Sequence, residues 1–281
     1  MSNFILANEP AIRILGFVSV LSLMALWEIL ATRRPQTLKR LARWPGNLGI
    51  VVLDTLAVRL LFPLAAVGAA IYASEHGWGL LNLVSMPGWV TVVLAILVLD
   101  LAIYFQHRIF HAVPWLWRLH RMHHADLEFD VTTGLRFHPF EILLSMAIKM
   151  AVVVVIGAPA LAVVVFEVLL NATSLFNHGN VRLPQRVDRW LRLLLVTPDM
   201  HRVHHSAIQR ETDSNFGFSV PWWDRLFGTY RAQPEKGHLG MMIGIEDFRS
   251  EHDLRLDQLL IQPFRHTERR PKSIVWKNSE R

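Results

Sequence analysis

Hydropathy divides the chain into five apolar stretches separated by polar segments, at roughly 14–31, 48–72, 88–106, 140–156 and 159–176. A membrane-spanning helix needs about 20 mostly apolar residues, with about 17–25 tolerated, so each stretch is a candidate span. The third is the cleanest, with Asp100 as its only charge. The first carries Glu28 near its end, and the second contains Asp54 and Arg59, so only its later part is strongly apolar. The last two meet at Gly157-Ala158-Pro159, a tight-turn sequence. They form a hairpin that either crosses the bilayer fully or dips in and returns. The pattern predicts an all-α integral membrane protein with four to five transmembrane or re-entrant helices.

Charge sets the expected orientation. The loop after the first span holds Arg33, Arg34, Lys39, Arg40 and Arg43 with no acid, which makes it cytoplasmic by the positive-inside rule. The segment 73–87 carries Glu75 and no Lys or Arg, which suits the opposite side. The third span then returns the chain to the cytoplasm at His107, and the hairpin leaves and comes back at His178. Every histidine from 107 to 266 thus falls on one side, in a cytoplasmic histidine-rich helical cap. The 281 residues are 52% hydrophobic and 19% charged, against about 25% charged in soluble domains. With these spans, a net charge of +6 points to an anionic lipid surface as partner rather than nucleic acid. The first 13 residues show no basic region followed by a small-residue cleavage site, so no cleaved signal peptide is expected. The segment Arg186–Val196 reads either as an interfacial amphipathic helix or as a buried helix of the cap. The polar, basic tail from Phe264 onward is expected to be loosely ordered. The expected organisation is 1–93 for the N-terminal transmembrane helices and basic loop, 94–235 for the catalytic domain, and 236–281 for the C-terminal tail.

Fourteen histidines and no cysteine define the candidate chemistry. Thiolate zinc sites and cysteine-ligated iron–sulfur clusters are excluded. His107 and His111 form H-x3-H; His120, His123 and His124 form H-x2-H-H; His201, His204 and His205 repeat that second pattern. Residues three and four apart share a helix face, so each cluster offers imidazoles side by side. Imidazole suits iron, zinc and copper. Together with the single His138 and His178 there are ten candidate ligands, enough for two metal ions with four or five each. A metal-bound imidazole usually passes its other N–H to a carboxylate or carbonyl. By spacing, Asp100, Glu141, Glu167 and Asn171 are candidates to orient ligands, with helix-stapling polar pairs as the competing reading. His76, His238, His252 and His266 read as surface residues, with His238 available for recruitment. A zinc-dependent membrane hydrolase or a metal-handling protein would use the same imidazoles. A hydrolase would also need a base, which Glu128 or Glu141 could supply.

The three clusters, with Asp130–Glu141, Glu211–Gly217 and Pro221–Tyr230, resemble the fatty acid hydroxylase/sterol desaturase superfamily and its bacterial members over roughly Leu94 to Tyr230. That resemblance implies a non-haem centre of two Fe ions, for which zinc can substitute in purified protein, on the cytoplasmic face of the bacterial inner membrane. It implies O2-dependent hydroxylation or desaturation of a lipid C–H bond, in a sterol, fatty acyl, alkylglycerol or carotenoid-type substrate. The fused haem motif His-Pro-Gly-Gly of some members is absent here. Electrons would then come from a separate donor: a ferredoxin, cytochrome or reductase.

Overall fold

A computed structural model describes residues 2–266, and the basic tail beyond them lies outside the described residues. Among those residues the chain is all helical, with only the isolated bridge pairs Thr32–Val181 and Ser206–Ile243. After a short α1 (Ser2–Ala7) come α2 (Glu9–Leu30), α3 (Arg40–Leu61), α4 (Ala65–Glu75) and α5 (Gly88–Ala112). A corner leads to α6 (Pro114–His124), followed by the hairpin α7 (Pro139–Ile156) and α8 (Ala160–Asn177). The cap adds α9 (Gln185–Leu191), α10 (Pro198–His204), α11 (Gln209–Thr212), α12 (Trp222–Leu226), α13 (Gly237–Gly240) and α14 (Leu256–Ile261). Five segments are long and apolar enough to cross a membrane: α2, the α3–α4 region, α5, α7 and α8. The chain is an integral membrane protein.

The second stretch departs from its expected form. It is broken between α3 and α4 at Phe62–Leu64, where Pro63 has no N–H to extend the helix and Ala65 takes φ +46°. Helix α3 also starts eight residues earlier than the hydropathy suggested. Its polar residues Arg43, Asn47 and Asp54 are buried on an inner face, while Leu41, Leu48, Val52, Leu56 and Leu60 point outward. The arrangement is that of a span whose apolar face meets lipid and whose polar face meets the site.

Two turns close one end of the bundle. Gly157 ends α7 in the left-handed conformation, φ +69°, and a Cβ built on Gly79 would lie 2.1 Å from the Gly157 nitrogen. Side chains are excluded by that backbone-to-backbone contact. Small residues, among them Ala66, Ala70, Ala95 and Ala162, line the core between α4, α5, α7 and α8 with Leu99, Val163 and Phe166, as close helix packing in lipid requires. The cap assembles at the opposite end. There Val113 is held extended (ψ 119°) by the following Pro114, which folds α6 back against the end of α5.

The basic loop after α2 is used for packing. Arg33 bridges to Asp199, Arg40 to the buried Glu28, and Arg43 to Asp126 and Asp130. Helix α9 covers only the first part of segment 186–196, in which Asp188 and Arg192 are buried while Trp190, Leu193 and Leu194 are exposed.

Candidate metal centre

Nine histidines converge where α5, α6, α8 and α10 meet, each at most 4% exposed. One nitrogen from each of His107, His111, His120, His124 and His204 forms a group whose atoms lie within 4.8 Å of one another. His123, His178, His201 and His205 form a second group to the same tolerance. The division follows helix geometry. Pairs four apart (107/111, 120/124, 201/205) stay together, while the middle histidine of each H-x2-H-H motif, His123 or His204, turns to the neighbouring group. The groups share a wall, with the His124 and His205 rings stacked 4.6 Å apart.

The hydrogen bonds fix which ring nitrogens face inward. His107 Nδ1 donates to Phe216 O at 2.8 Å, His204 Nδ1 to Ser214 O at 2.7 Å and His178 Nδ1 to Ser174 O at 2.7 Å. A carbonyl only accepts, so each Nδ1 carries the proton and each Nε2 a bare lone pair. His120 Nδ1 lies 2.7 Å from Glu141 Oε1, and His111 Nδ1 faces Asp213 Oδ1 at 3.2 Å. The Nε2 atoms of His107 and His120 then stand 3.1 Å apart, and those of His111 and His124 also 3.1 Å apart. In the first pair, the bare lone pair of His107 Nε2 is aimed at the His120 ring. His204 Nε2 is buried with no hydrogen-bond partner, as are both ring nitrogens of His205. Burial of this kind without compensation costs several kcal/mol in total, and cations seated among the lone pairs remove that cost. Protonation does not serve instead. Burial pushes the imidazole of His120 down to about 3 and that of His178 to about 4, and holds His123, His124, His201, His204 and His205 well below the usual range. The residues present fit two ions held by neutral imidazoles.

A buried ionic frame surrounds the cluster. Arg43 grips Asp126 through Nε–Oδ1 and Nη2–Oδ2 contacts of 2.7 Å each, and reaches Asp130 at 2.6 Å. Burial alone would raise the Asp126 carboxyl, but the guanidiniums of Arg43 and Arg136 outweigh it and hold the group below the usual carboxylate range. Glu28, at the end of α2, accepts the backbone N–H groups of Val131 (2.7 Å) and Asn180 (2.8 Å). It thereby ties the segment after His124 to the segment after His178.

Several sequence expectations resolve differently here. His138 does not join either group: its Nε2 lies 3.1 Å from Leu260 O, and its Nδ1 accepts the Phe140 N–H as the cap of α7. Glu141 lies within hydrogen-bond distance of one histidine, His120. Asp100 instead accepts the Trp223 indole N–H at 2.8 Å. Glu167 pairs with Lys149 and, at 2.6 Å, with Arg13, so it staples α8 to α7 and α2. Asn171 faces outward. Glu128, a base considered for hydrolysis, is consumed by Thr37 N, Thr37 Oγ1 and Leu38 N at 2.6–3.1 Å. His238 is buried, not a surface residue, yet it lies outside both groups. Asp213 and the carbonyls of Ser174, Ser214 and Phe216 had no signal beyond lying in or near recognised stretches.

The family model of fatty acid hydroxylase matches residues 92–229, the segment that supplies all nine converging histidines. Residues 92–229, just under half of the chain, belong to the fatty acid hydroxylase family. It is 31% identical to an ornithine lipid hydroxylase from Rhizobium tropici over 143 residues, covering 51% of this chain and 42% of that protein. Against the alkylglycerol monooxygenase of Homo sapiens it is 28% identical over 159 residues, 55% of this chain and 34% of the relative. A cholesterol 25-hydroxylase from Rattus norvegicus is 25% identical over 151 residues, 53% of this chain and 49% of the relative. The matched region thus spans less than half the length of each of these relatives. No solved structure matches the chain.

Proposed function

We propose that this family member oxidises a lipid C–H bond with O2, using two iron ions. One would be held by His107, His111, His120, His124 and His204, the other by His123, His178, His201 and His205. The observation that carries this reading is the convergence of buried, neutral imidazoles as adjacent groups of five and four at one end of a membrane-spanning bundle. Bound iron would supply the activation of O2 and the removal of hydrogen from an unreactive carbon. For hydroxylation the balance is R–H + O2 + 2e⁻ + 2H⁺ giving R–OH + H2O, with both electrons from a separate donor protein. The relatives act on ornithine lipid, alkylglycerol and cholesterol by their names, which supports a lipid substrate without selecting one.

The chain's own residues prepare the site. Glu141 and Asp213 hold the rings of His120 and His111 by their Nδ1 atoms, and three backbone carbonyls do the same for His107, His178 and His204. Phe137 stacks on His123 with ring centroids 4.5 Å apart, and Phe218 lies 5.2 Å from His107 and 6.1 Å from His201. These two rings, 6.5 Å apart and only partly buried, flank both histidine groups. Next to Phe218, Ser219 touches Thr173 of α8. The lipid chain would therefore approach between Phe137 and Phe218 from the bundle side, and the buried cap would keep bulk water from the reacting carbon. The same reading treats 94–235 as the catalytic unit and places the site on the cytoplasmic face of the bacterial inner membrane, the side favoured by the basic loop after α2.

Lipid extracts from cells producing the protein or its His204→Ala variant provide the test. A lipid class heavier by one oxygen or lighter by two hydrogens, present with the wild type and lost with the variant, is the expected result. Identical lipid profiles would overturn the reading.

A further inference from the structure

A second site lies outside the histidine cluster. A cavity of about 280 Å3 opens on the cap, lined by Arg33, Arg182, Gln185, Asp188, Asp199 and His238 among others. Its size corresponds to about nine water molecules. Both carboxylates are already neutralised. Asp199 is held by Arg33 and Arg202. Asp188 pairs with Arg192 at 2.7 Å and accepts the Thr197 hydroxyl at 2.6 Å. The cations are in surplus, because the exposed Arg182 makes no ion pair with a described residue. His238 is 94% buried, given its 6% exposure, yet neither ring nitrogen has a hydrogen-bond partner; the nearest carboxylate oxygen, Asp199 Oδ2, is 3.6 Å away. An unpartnered buried donor and an unpaired guanidinium lining one cavity are what an anion would complete.

The cavity also has a defined height in the molecule. Arg33 follows the end of α2 by three residues and Arg182 follows the end of α8 by five. The two chain ends are laced together by Arg33 N donating to Asn180 O (2.9 Å) and Arg182 N donating to Ala31 O (2.8 Å). Both spans end there, and α9 with the turn after it exposes Trp190, Leu193 and Leu194, residue types that settle at the membrane interface.

We propose that this pocket binds an oxyanion, a phosphate or carboxylate group, at the level of the bilayer surface. It contains none of the nine converging histidines, so its binding stands or falls separately from the oxygenase reading.

The test uses the full chain in neutral detergent, titrated with dioctanoyl phosphatidylglycerol, dioctanoyl phosphatidylcholine and inorganic phosphate. Bound ligand is followed by native mass spectrometry and by the thermal midpoint. Phosphatidylglycerol should bind more tightly than phosphatidylcholine. If inorganic phosphate competes, the anion alone suffices; if it does not, the site requires a lipid headgroup. In either case Arg182→Gln and His238→Gln should weaken binding about tenfold, the effect of losing one charge-assisted contact. Arg189→Gln, which removes an exposed charge of α9 outside the pocket, should leave binding unchanged. The proposal is overturned if neither phosphatidylglycerol nor phosphate binds. It is equally overturned if Arg189→Gln weakens binding as much as Arg182→Gln, or if Arg182→Gln binds like the wild type. Arg182 is exposed, so that variant remains informative even if His238→Gln fails to fold.

Discussion

Arg43 of α3 grips Asp126, two residues beyond His124, through two contacts of 2.7 Å with both side chains fully buried. The N-terminal part of the chain, which supplies none of the nine converging histidines, therefore holds the end of the helix that supplies His120, His123 and His124. Removing one partner of a buried pair leaves an uncompensated charge and costs about 3–5 kcal/mol. Arg43→Gln should lower the thermal midpoint sharply and reduce metal content together with it. Arg43→Lys should not restore either, since an ammonium cannot span both Asp126 oxygens and Asp130 in the same fork. A wild-type midpoint in Arg43→Gln would remove the clamp from the account.

Glu141 makes a narrower prediction. Its carboxylate holds His120 Nδ1 at 2.7 Å, and loss of such a partner typically costs 10–100-fold in metal affinity or activity. Glu141→Ala should weaken iron binding within that range. Glu141→Gln, which keeps an acceptor oxygen, should recover much of the loss. Competition with a calibrated chelator measures both, and equal affinity in Glu141→Ala and wild type would show that the contact does not orient the ring.

The histidines also set an acid limit on stability. Their neutral form is favoured in the folded protein, so the unfolded chain binds more protons as the pH falls below about 6.5, the ordinary histidine value. For His178, lowered by burial to about 4, and His120, lowered to about 3, the stabilising contribution is complete above about pH 6.5. It declines as the pH drops from there toward those values. Each such group contributes a slope of up to about 1.4 kcal/mol per pH unit, so several together act steeply. The thermal midpoint of metal-free protein should be flat from pH 8 to 7 and fall markedly between pH 6.5 and 5. A midpoint constant down to pH 5 would contradict neutral burial.

Phe137 and Phe218 should control where a lipid is attacked more than whether iron binds. Their rings flank both histidine groups without offering a ligand. Phe218→Ala is expected to retain iron within experimental error while shifting or broadening the position of oxidation in the recovered lipid. Full loss of iron in that variant would assign Phe218 a structural role instead.

Much of this arrangement was legible in the residues. The apolar stretches located the spans because hydropathy over about 20 residues reports directly on bilayer burial. The repeated spacing marked the ligand helices because i and i+4 must share a face. What failed was inference across the chain from spacing alone. Asp100 sits two turns before His107, yet the Trp223 indole takes it. His138 lies within a recognised stretch, yet it caps α7. Glu167 shares a helix face with Asn171, four residues on, but it pairs with Lys149 and Arg13 on other helices. Backbone carbonyls as ring acceptors, and the Arg43–Asp126 clamp across 83 residues, carry no local sequence signature at all.

Metal stoichiometry bears most directly on the whole account. Protein purified without air, loaded with ferrous iron and desalted, should contain two irons per chain. His178→Ala, which alters only the group of four, should fall toward one, and a double variant of His178 and His204 should fall toward zero. A wild-type value of one or less, or a His178→Ala value indistinguishable from wild type, would contradict a paired centre built from the groups of five and four.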